Sequence, residues 1–164
     1  KQRFVANMRN KILEVSVCGL QREGLRFSVD SIARELKISK KTVYKFFSTK
    51  EELAVAVYEK IYGETEQKLN VLIASESENR FPAMLQLYYR SYCMVREELF
   101  NKFALNDGIK KRAAEKHYEV RKIFQRTLQP EERETTLFII DGVLEKLNGN
   151  PLTPQIVAKL ERLL

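Results

Sequence analysis

Ser28-Val29-Asp30-Ser31-Ile32-Ala33-Arg34-Glu35-Leu36-Lys37-Ile38-Ser39-Lys40-Lys41-Thr42-Val43-Tyr44-Lys45-Phe46-Phe47 is the stretch on which the fold turns. Ser28 is a good N-cap, and Val29, Ile32, Ala33 and Leu36 follow it at helical spacing. A break falls at Lys37–Ile38, Ser39 caps again, and a second short helix runs from Lys40 to about Phe46. Two short helices joined by a tight turn, just after a longer one, are the parts of a helix-turn-helix. Ile32, Ala33 and Leu36 face inward from the first helix. Val43 and Phe47 pack on them from the second, the small Ala33 permitting close approach. That burial leaves Lys40, Lys41, Thr42, Tyr44 and Lys45 on or near the open side, where they can donate to phosphates and base edges.

Outward from this stretch the pattern stays helical. A longer helix precedes it over about residues 3–22, with Met8, Ile12, Val15 and Leu20 near one face and Gly24 as its stop. Ser48-Thr49-Lys50-Glu51 reads as a capping box, Ser48 the cap and Glu51 reaching back to its amide. The helix it opens carries Leu53, Val57, Ile61 and Leu69 toward Ser75. Residues 76–80 read as a loop, and Pro82 suits the first turn of a helix reaching about Phe103. A further helix spans about Ile109–Leu128. Pro130, Glu131 and Glu132 start the next, which runs through Leu137, Ile140, Val143, Leu144 and Leu147 to the turn Asn148-Gly149-Asn150-Pro151. Thr153-Pro154 opens a last helix with Ile156, Val157, Leu160, Leu163 and Leu164. No alternating strand pattern or hairpin turn interrupts the series. The expectation is an all-α chain of about nine helices, with a head at 1–47 and a helical body at 48–164.

Charge separates the same two parts. Residues 1–50 hold 12 Lys and Arg against 4 acids, or +8, whereas residues 51–164 hold 17 against 18, or −1. The excess positive charge of the whole chain, +7, therefore sits in the first third, as expected of a module that meets a polyanion. With 44% hydrophobic and 31% charged residues the 164-residue chain can bury a core. No apolar run approaches the ~20 residues of a membrane span, and no signal-peptide pattern opens the chain. The start at Lys1 leads us to expect an initiator segment ahead of it. Cys18 and Cys93 are too few and too far apart for a disulfide framework or a metal site, so a reducing, cytoplasmic setting is expected.

From Ile12-Leu13-Glu14-Val15 through Gly24, Ser28 to Ala33, Ile38 to Phe47 and Lys50-Glu51-Glu52-Leu53, the chain resembles the tetracycline-repressor-like (TetR) family of regulators. Ile-Ala, Tyr-x-x-Phe and Lys-x-x-Leu all fall at the family's offsets, over about residues 8–58. The resemblance implies a recognition helix carrying Ser39, Lys40, Lys41, Thr42 and Tyr44 in the major groove. It implies phosphate contacts from Tyr44, Lys45 and Lys50, and backbone contacts from the amides of Ser28 and Val29. Three positions depart from the family. Lys37 stands where the turn usually has glycine, which predicts a left-handed residue at ~1 kcal/mol cost. Gly19 replaces a large apolar side chain, and Phe46 cannot donate to a phosphate.

Past Leu53 the resemblance implies architecture: a ligand chamber and a dimer interface built from the last two helices. The chamber would draw on Tyr58, Ile61, Tyr62, Met84, Leu87, Tyr88, Tyr92, Phe100, Phe103, Tyr118 and Phe124, since tyrosines join an apolar wall to a hydrogen-bonding tip. The interface would use Leu137, Ile140, Gly142, Val143, Leu144, Leu147, Ile156, Val157, Leu160 and Leu164. His117, within the basic stretch of Lys110, Lys111, Arg112 and Lys116, reads as a surface residue. An enzyme would need a base–nucleophile pair, a metal cluster or a phosphate loop, and one His, two distant Cys and six Gly supply none. No cofactor, metal or catalytic residue is expected. The partners expected are a palindromic DNA operator, a second copy of the chain and an unidentified small-molecule effector, with no membrane. The alternative is the same fold binding DNA or another partner without small-molecule control.

Overall fold

The computed structural model describes residues 2–23, 28–75, 77, 80–96 and 106–163, with the side chains of 7–19 in the first stretch. Among the described residues there are eight α-helices and no strand. They are α1 (Gln2–Glu23), α2 (Val29–Glu35), α3 (Lys40–Phe46), α4 (Lys50–Ala74), α5 (Arg80–Cys93), α6 (Asp107–Gln125), α7 (Arg133–Leu147) and α8 (Pro154–Glu161). The all-α fold is as the sequence predicts, and the count is close to nine. The chain forms two compact units, residues 1–61 with 97–113, and residues 62–96 with 114–164. The boundary expected at 47/48 falls inside the first unit, where α4 begins.

In the first unit α2 packs on both α1 and α3. The inward stripe of α1 is Ile12, Leu13, Ser16 and Val17, one step round from the stripe expected through Val15. Ser16 joins it because its hydroxyl donates to the Ile12 carbonyl at 2.6 Å. Ser28 caps α2 as expected: its Oγ accepts from the Ser31 amide at 3.1 Å, and Ser31 Oγ accepts from the Ser28 amide at 3.1 Å. The other end closes at Lys37, whose φ of +54° is left-handed. The Ile38 amide bonds the Ala33 carbonyl (2.9 Å) and the Lys37 amide the Arg34 carbonyl (3.2 Å), the paired reverse bonds of a Schellman turn. Ser39 then caps α3 through the Thr42 amide. The box that opens α4 sits one residue later than expected. Thr49 Oγ1 accepts from the Glu52 amide (3.0 Å), and Glu52 Oε2 accepts from the Ser48 amide (2.7 Å).

The second unit is organised around stacked rings. Tyr88 of α5 lies flat on Phe124 of α6, centroids 4.5 Å apart, and on His117 of the same helix at 5.6 Å. Tyr92 meets the His117 ring edge-on at 6.0 Å. The polar tips are tied as well. Tyr88 Oη donates to Asp141 Oδ1 at 2.7 Å, Arg121 pairs with Asp141 Oδ2 at 3.2 Å, and Ser91 Oγ lies 2.7 Å from His117 Nδ1. His117 is thus no surface residue. Ala113, Val120 and Phe124 are fully buried, and His117 falls on that stripe of α6; of its basic neighbours Lys111 is exposed, and Lys110, Arg112 and Lys116 are half-buried. Burial pushes its imidazole down from 6.5 to about 4, with Asp141 working against the shift and Arg121 adding to it. Helix α7 begins at Arg133, after a turn formed by Pro130–Glu132, and ends in left-handed Asn148 (φ +51°) and Gly149 (φ +85°). Thr153 caps α8, which packs on α5.

Two stability predictions follow from these conformations. Lys37→Gly removes the left-handed strain from an exposed position, and urea unfolding should show a gain of about 1 kcal/mol; an unchanged or lower midpoint would mean that the lysine holds this turn without strain. For His117, the unfolded chain titrates near 6.5 and the folded one near 4, so between these values the unfolded chain binds more protons. The stability that His117 contributes is complete above about pH 6.5 and drains away toward pH 4, on the order of 3 kcal/mol in all. His117→Gln keeps an amide beside Ser91 but cannot titrate, so its urea midpoint should fall less than the parent's across that window. Parallel pH profiles for the two proteins would refute this assignment.

Candidate nucleic-acid interface

Helix α3 is held by its buried side. Val43 within it and Phe47 at its C-cap are about 1% exposed, and Ile32 and Ala33 on α2 are buried too. Burying each large apolar side chain stabilises by about 1.5–3 kcal/mol, enough to fix a helix of 7 residues that has little stability of its own. The opposite side is left open. Lys40, Lys41 and Lys45 are exposed, Tyr44 is 44% exposed, and Thr42 is half-buried. Lys50 is exposed at the first position of α4.

Some of the polar groups of this side already have partners. Lys40 Nζ lies 2.5 Å from Asp30 Oδ1, so the first cation of α3 is tethered to α2. Ser39 Oγ accepts from the Thr42 amide at 3.0 Å and shares a hydrogen bond with Thr42 Oγ1 at 2.9 Å. Ser28 is half-buried as the cap of α2, and the Val29 side chain is in the core, which leaves its amide as the group that can meet a phosphate. Sequence reasoning passed over Arg9. Its guanidinium stands 4.7 Å above the Phe47 ring, which places an exposed cation of α1 beside the end of α3. The available signal was its place one turn ahead of Ile12 and Leu13.

The residues expected to form a ligand chamber divide by placement. Within the second unit Tyr62, Met84, Tyr88 and Phe124 are buried, while Leu87 and Tyr92 are half-buried. Tyr62 Oη donates to the Ser91 carbonyl at 3.3 Å. Tyr118, one step round α6 from His117, is 53% exposed under the Lys122 ammonium, 4.5 Å from its ring centre. In the first unit Tyr58 is buried and Ile61 half-buried, and burial raises the Tyr58 phenol above its usual range. Phe100 and Phe103 lie outside the described residues. Glu59 of that unit pairs with Arg112, whose Nε and Nη2 both reach Oε1, at 3.1 and 2.9 Å.

The residues expected at a dimer interface divide too. Leu137, Ile140, Leu144 and Leu160 are buried within the protomer; Val143, Leu147, Ile156 and Val157 are half-buried; Leu164 lies outside the described residues. The open face of α7 carries Phe138, 78% exposed, Ile139, 41% exposed, and Gly142, where an added Cβ would meet nothing within 4 Å. Phe138 and Ile139 were missed because periodicity gave no reason to place them opposite Leu137 and Ile140 before the core was known.

Among the described residues no helix is long and apolar enough to cross a membrane. Likewise no group of three or more His, Cys, Asp or Glu could hold a metal. No curated protein matches the chain. Residues 12–57 match the family model of bacterial regulatory proteins, tetR family. A transcriptional regulator of the TetR/AcrR family from Thermobifida fusca superposes with a TM-score of 0.60 at 18% identity, over 96% of each chain. A TetR family transcription regulator from Marinobacter aquaeolei does so with a TM-score of 0.50 at 16% identity, over 98% of this chain and 95% of that one. The match covers the helix-turn-helix and its flanking helices, and the fold of these solved structures extends over nearly the whole length: residues 12–57 are similar to the tetR family of bacterial regulatory proteins, and the rest of the chain shares its fold with solved members.

Proposed function

We propose that this protein is a sequence-specific, DNA-binding transcriptional regulator that acts as a homodimer, occupying a palindromic operator as a repressor. Residues 1–47 serve as the DNA-binding head and 48–164 as the ligand and dimerisation body, in a cytoplasmic protein that is not an enzyme. The observation that carries the reading is α3, a short helix anchored through Val43 and Phe47 that turns Lys40, Lys41, Thr42, Tyr44 and Lys45 outward. A helix so mounted enters a major groove as a rigid unit, and its side chains reach base edges and phosphates. Lys50 adds a phosphate contact from the start of α4, and the amides of Ser28 and Val29 add others.

One head reads too few bases to select a site from a genome, and a two-fold dimer reading half-sites about 34–36 Å apart supplies the rest. The open stripe of Phe138, Ile139 and Gly142 suits that dimer. It is apolar, it lies on a helix whose other side is buried, and the bare backbone at Gly142 permits close crossing. For small-molecule release the support is the aromatic interior with its tyrosine hydroxyls. A second reading, regulation without a small ligand, is favoured by one observation: Tyr88 is already stacked on two rings and bonded to Asp141.

Selection from a random duplex pool should return a two-fold symmetric motif. Thr42→Ala should relax the preference at one or two positions, by about 1–3 kcal/mol for a lost base contact. Asp30→Asn should act differently, tightening binding to every sequence by about two- to fivefold, because it frees Lys40 from a surface ion pair and removes a negative charge. A pool that returns no motif would overturn sequence-specific recognition.

Gly142→Arg tests the dimer. Nothing in the protomer stands within 4 Å of an added Cβ, so the fold should survive. The bulky charge should split the seam at a cost of several kcal/mol, on the order of 3–5. Sedimentation should show a dimer for the parent and a folded monomer with weakened operator binding for the variant. A parent that is monomeric at tens of micromolar would end the two-fold model.

A further inference from the structure

A groove of about 650 Å³ runs along the second half of α4 and α5, within the volume range of small-molecule sites. Its floor is Val71 and Leu72 from α4 with Ala83 and Leu87 from α5. Val71 is 64% exposed, a large apolar side chain left in water. Gln67, Gln86 and two cations, Lys68 and Arg90, complete the lining; among the described residues neither cation is ion-paired, and no carboxylate borders the groove.

The groove is polarised from end to end. Helix α5 starts beside the end of α4, where Arg80 Nη1 donates to the carbonyls of Ile73 (3.0 Å) and Ser75 (2.8 Å). The two helices therefore form an antiparallel hairpin, with Leu72 and Ala83 near its turn. At 1.5 Å per residue Lys68 lies about 6 Å farther from the turn than Leu72, and Arg90 about 10 Å farther than Ala83. Both cations collect at the end away from the turn, and the apolar floor fills the other. That is the layout of a site for one anionic head and one hydrocarbon tail.

We propose that this groove binds a free medium-chain carboxylate, its tail along Val71, Leu72, Ala83 and Leu87 and its head between Lys68 and Arg90. The rise of α5 from Ala83 to Arg90, about 10 Å, matches the length of such a tail. The carboxylate meets two donors that lack internal acceptors. The site is separate from the stacked interior around Tyr88, and direct binding measurements test it whatever the outcome for DNA recognition.

The experiment is a calorimetric titration with hexanoate, octanoate and decanoate below micelle-forming concentrations, with decylammonium as the charge-reversed control. Affinity should rise about twofold per added methylene, half of the roughly fourfold that complete burial would give, because the groove is open on one side. Decylammonium should bind at least about tenfold more weakly than decanoate, and the double variant Lys68→Gln/Arg90→Gln should lose a similar factor. Val71→Asp, a change at an exposed position, should also abolish decanoate binding while leaving the helical melting curve in place. Equal binding of decylammonium would overturn the proposal, as would decanoate affinity unchanged in both variants. So would the absence of saturable decanoate binding in a protein that co-sediments with anionic vesicles, which would reassign the cations to a lipid surface.

Discussion

Helices of 7 residues do not persist alone in water, because too few hydrogen bonds offset the cost of nucleation. Both α2 and α3 have this length, so the head exists only through the burial of Val29, Ile32, Ala33, Val43 and Phe47 together with the stripe on α1. Everything outward-facing on α3 is positioned by that burial. The turn between the two helices has no freedom to vary either: the reverse hydrogen bonds of Ile38 and Lys37 fix its path and force the lysine into a left-handed conformation. The strain at Lys37 is small beside the apolar burial that imposes it.

Caps and pairs then prepare the open side. Ser39 holds the start of α3 and orients Thr42, and Asp30 restrains Lys40. A lysine ammonium on a four-carbon stem samples many positions, and an acid at 2.5 Å confines it. On the proposed docking of α3 into DNA, phosphate and base acceptors would compete with Asp30 for that ammonium. Such competition lowers affinity for any polyanion and leaves discrimination between sequences to contacts that replace the pair well. Arg9 is held over Phe47 by a ring face instead of a carboxylate, which keeps its full charge available.

The second unit solves a different problem, joining buried polar groups to one another. Tyr88, Asp141, Arg121, Ser91 and His117 are linked by hydrogen bonds and an ion pair, and the rings of Tyr88, His117 and Phe124 stack along the same line. Desolvation keeps the imidazole neutral near pH 7, so the network carries no uncompensated histidine charge. Helix α7 faces this interior through Leu137, Ile140 and Leu144 and the solvent through Phe138, Ile139 and Gly142. The apolar character of α7 therefore serves the interior on one side and stays exposed on the other.

The helical class, the short-helix pair, the caps at Ser28, Ser39 and Thr153, and the left-handed Lys37 are all legible in the chain before it folds. All of these are local: a side chain bonds a backbone group three residues away, or a residue must close a turn whose flanks are already specified. The location of the positive charge is legible too, since that is counting. The tertiary structure decided which of several apolar residues on one helix is core. Val15 gave way to Ser16 and Val17, Phe138 and Ile139 faced out where Leu137 and Ile140 faced in, and His117 went into the stack while Tyr118 turned away. Residues adjacent in sequence sit 100° apart on a helix, so an almost uniformly apolar or mixed segment has no preferred face until another helix arrives to cover one. The partners of Lys40 and Arg9 were likewise undetermined, because Asp30 and Phe47 become their neighbours only when the burial of Val43 and Phe47 draws the three head helices together.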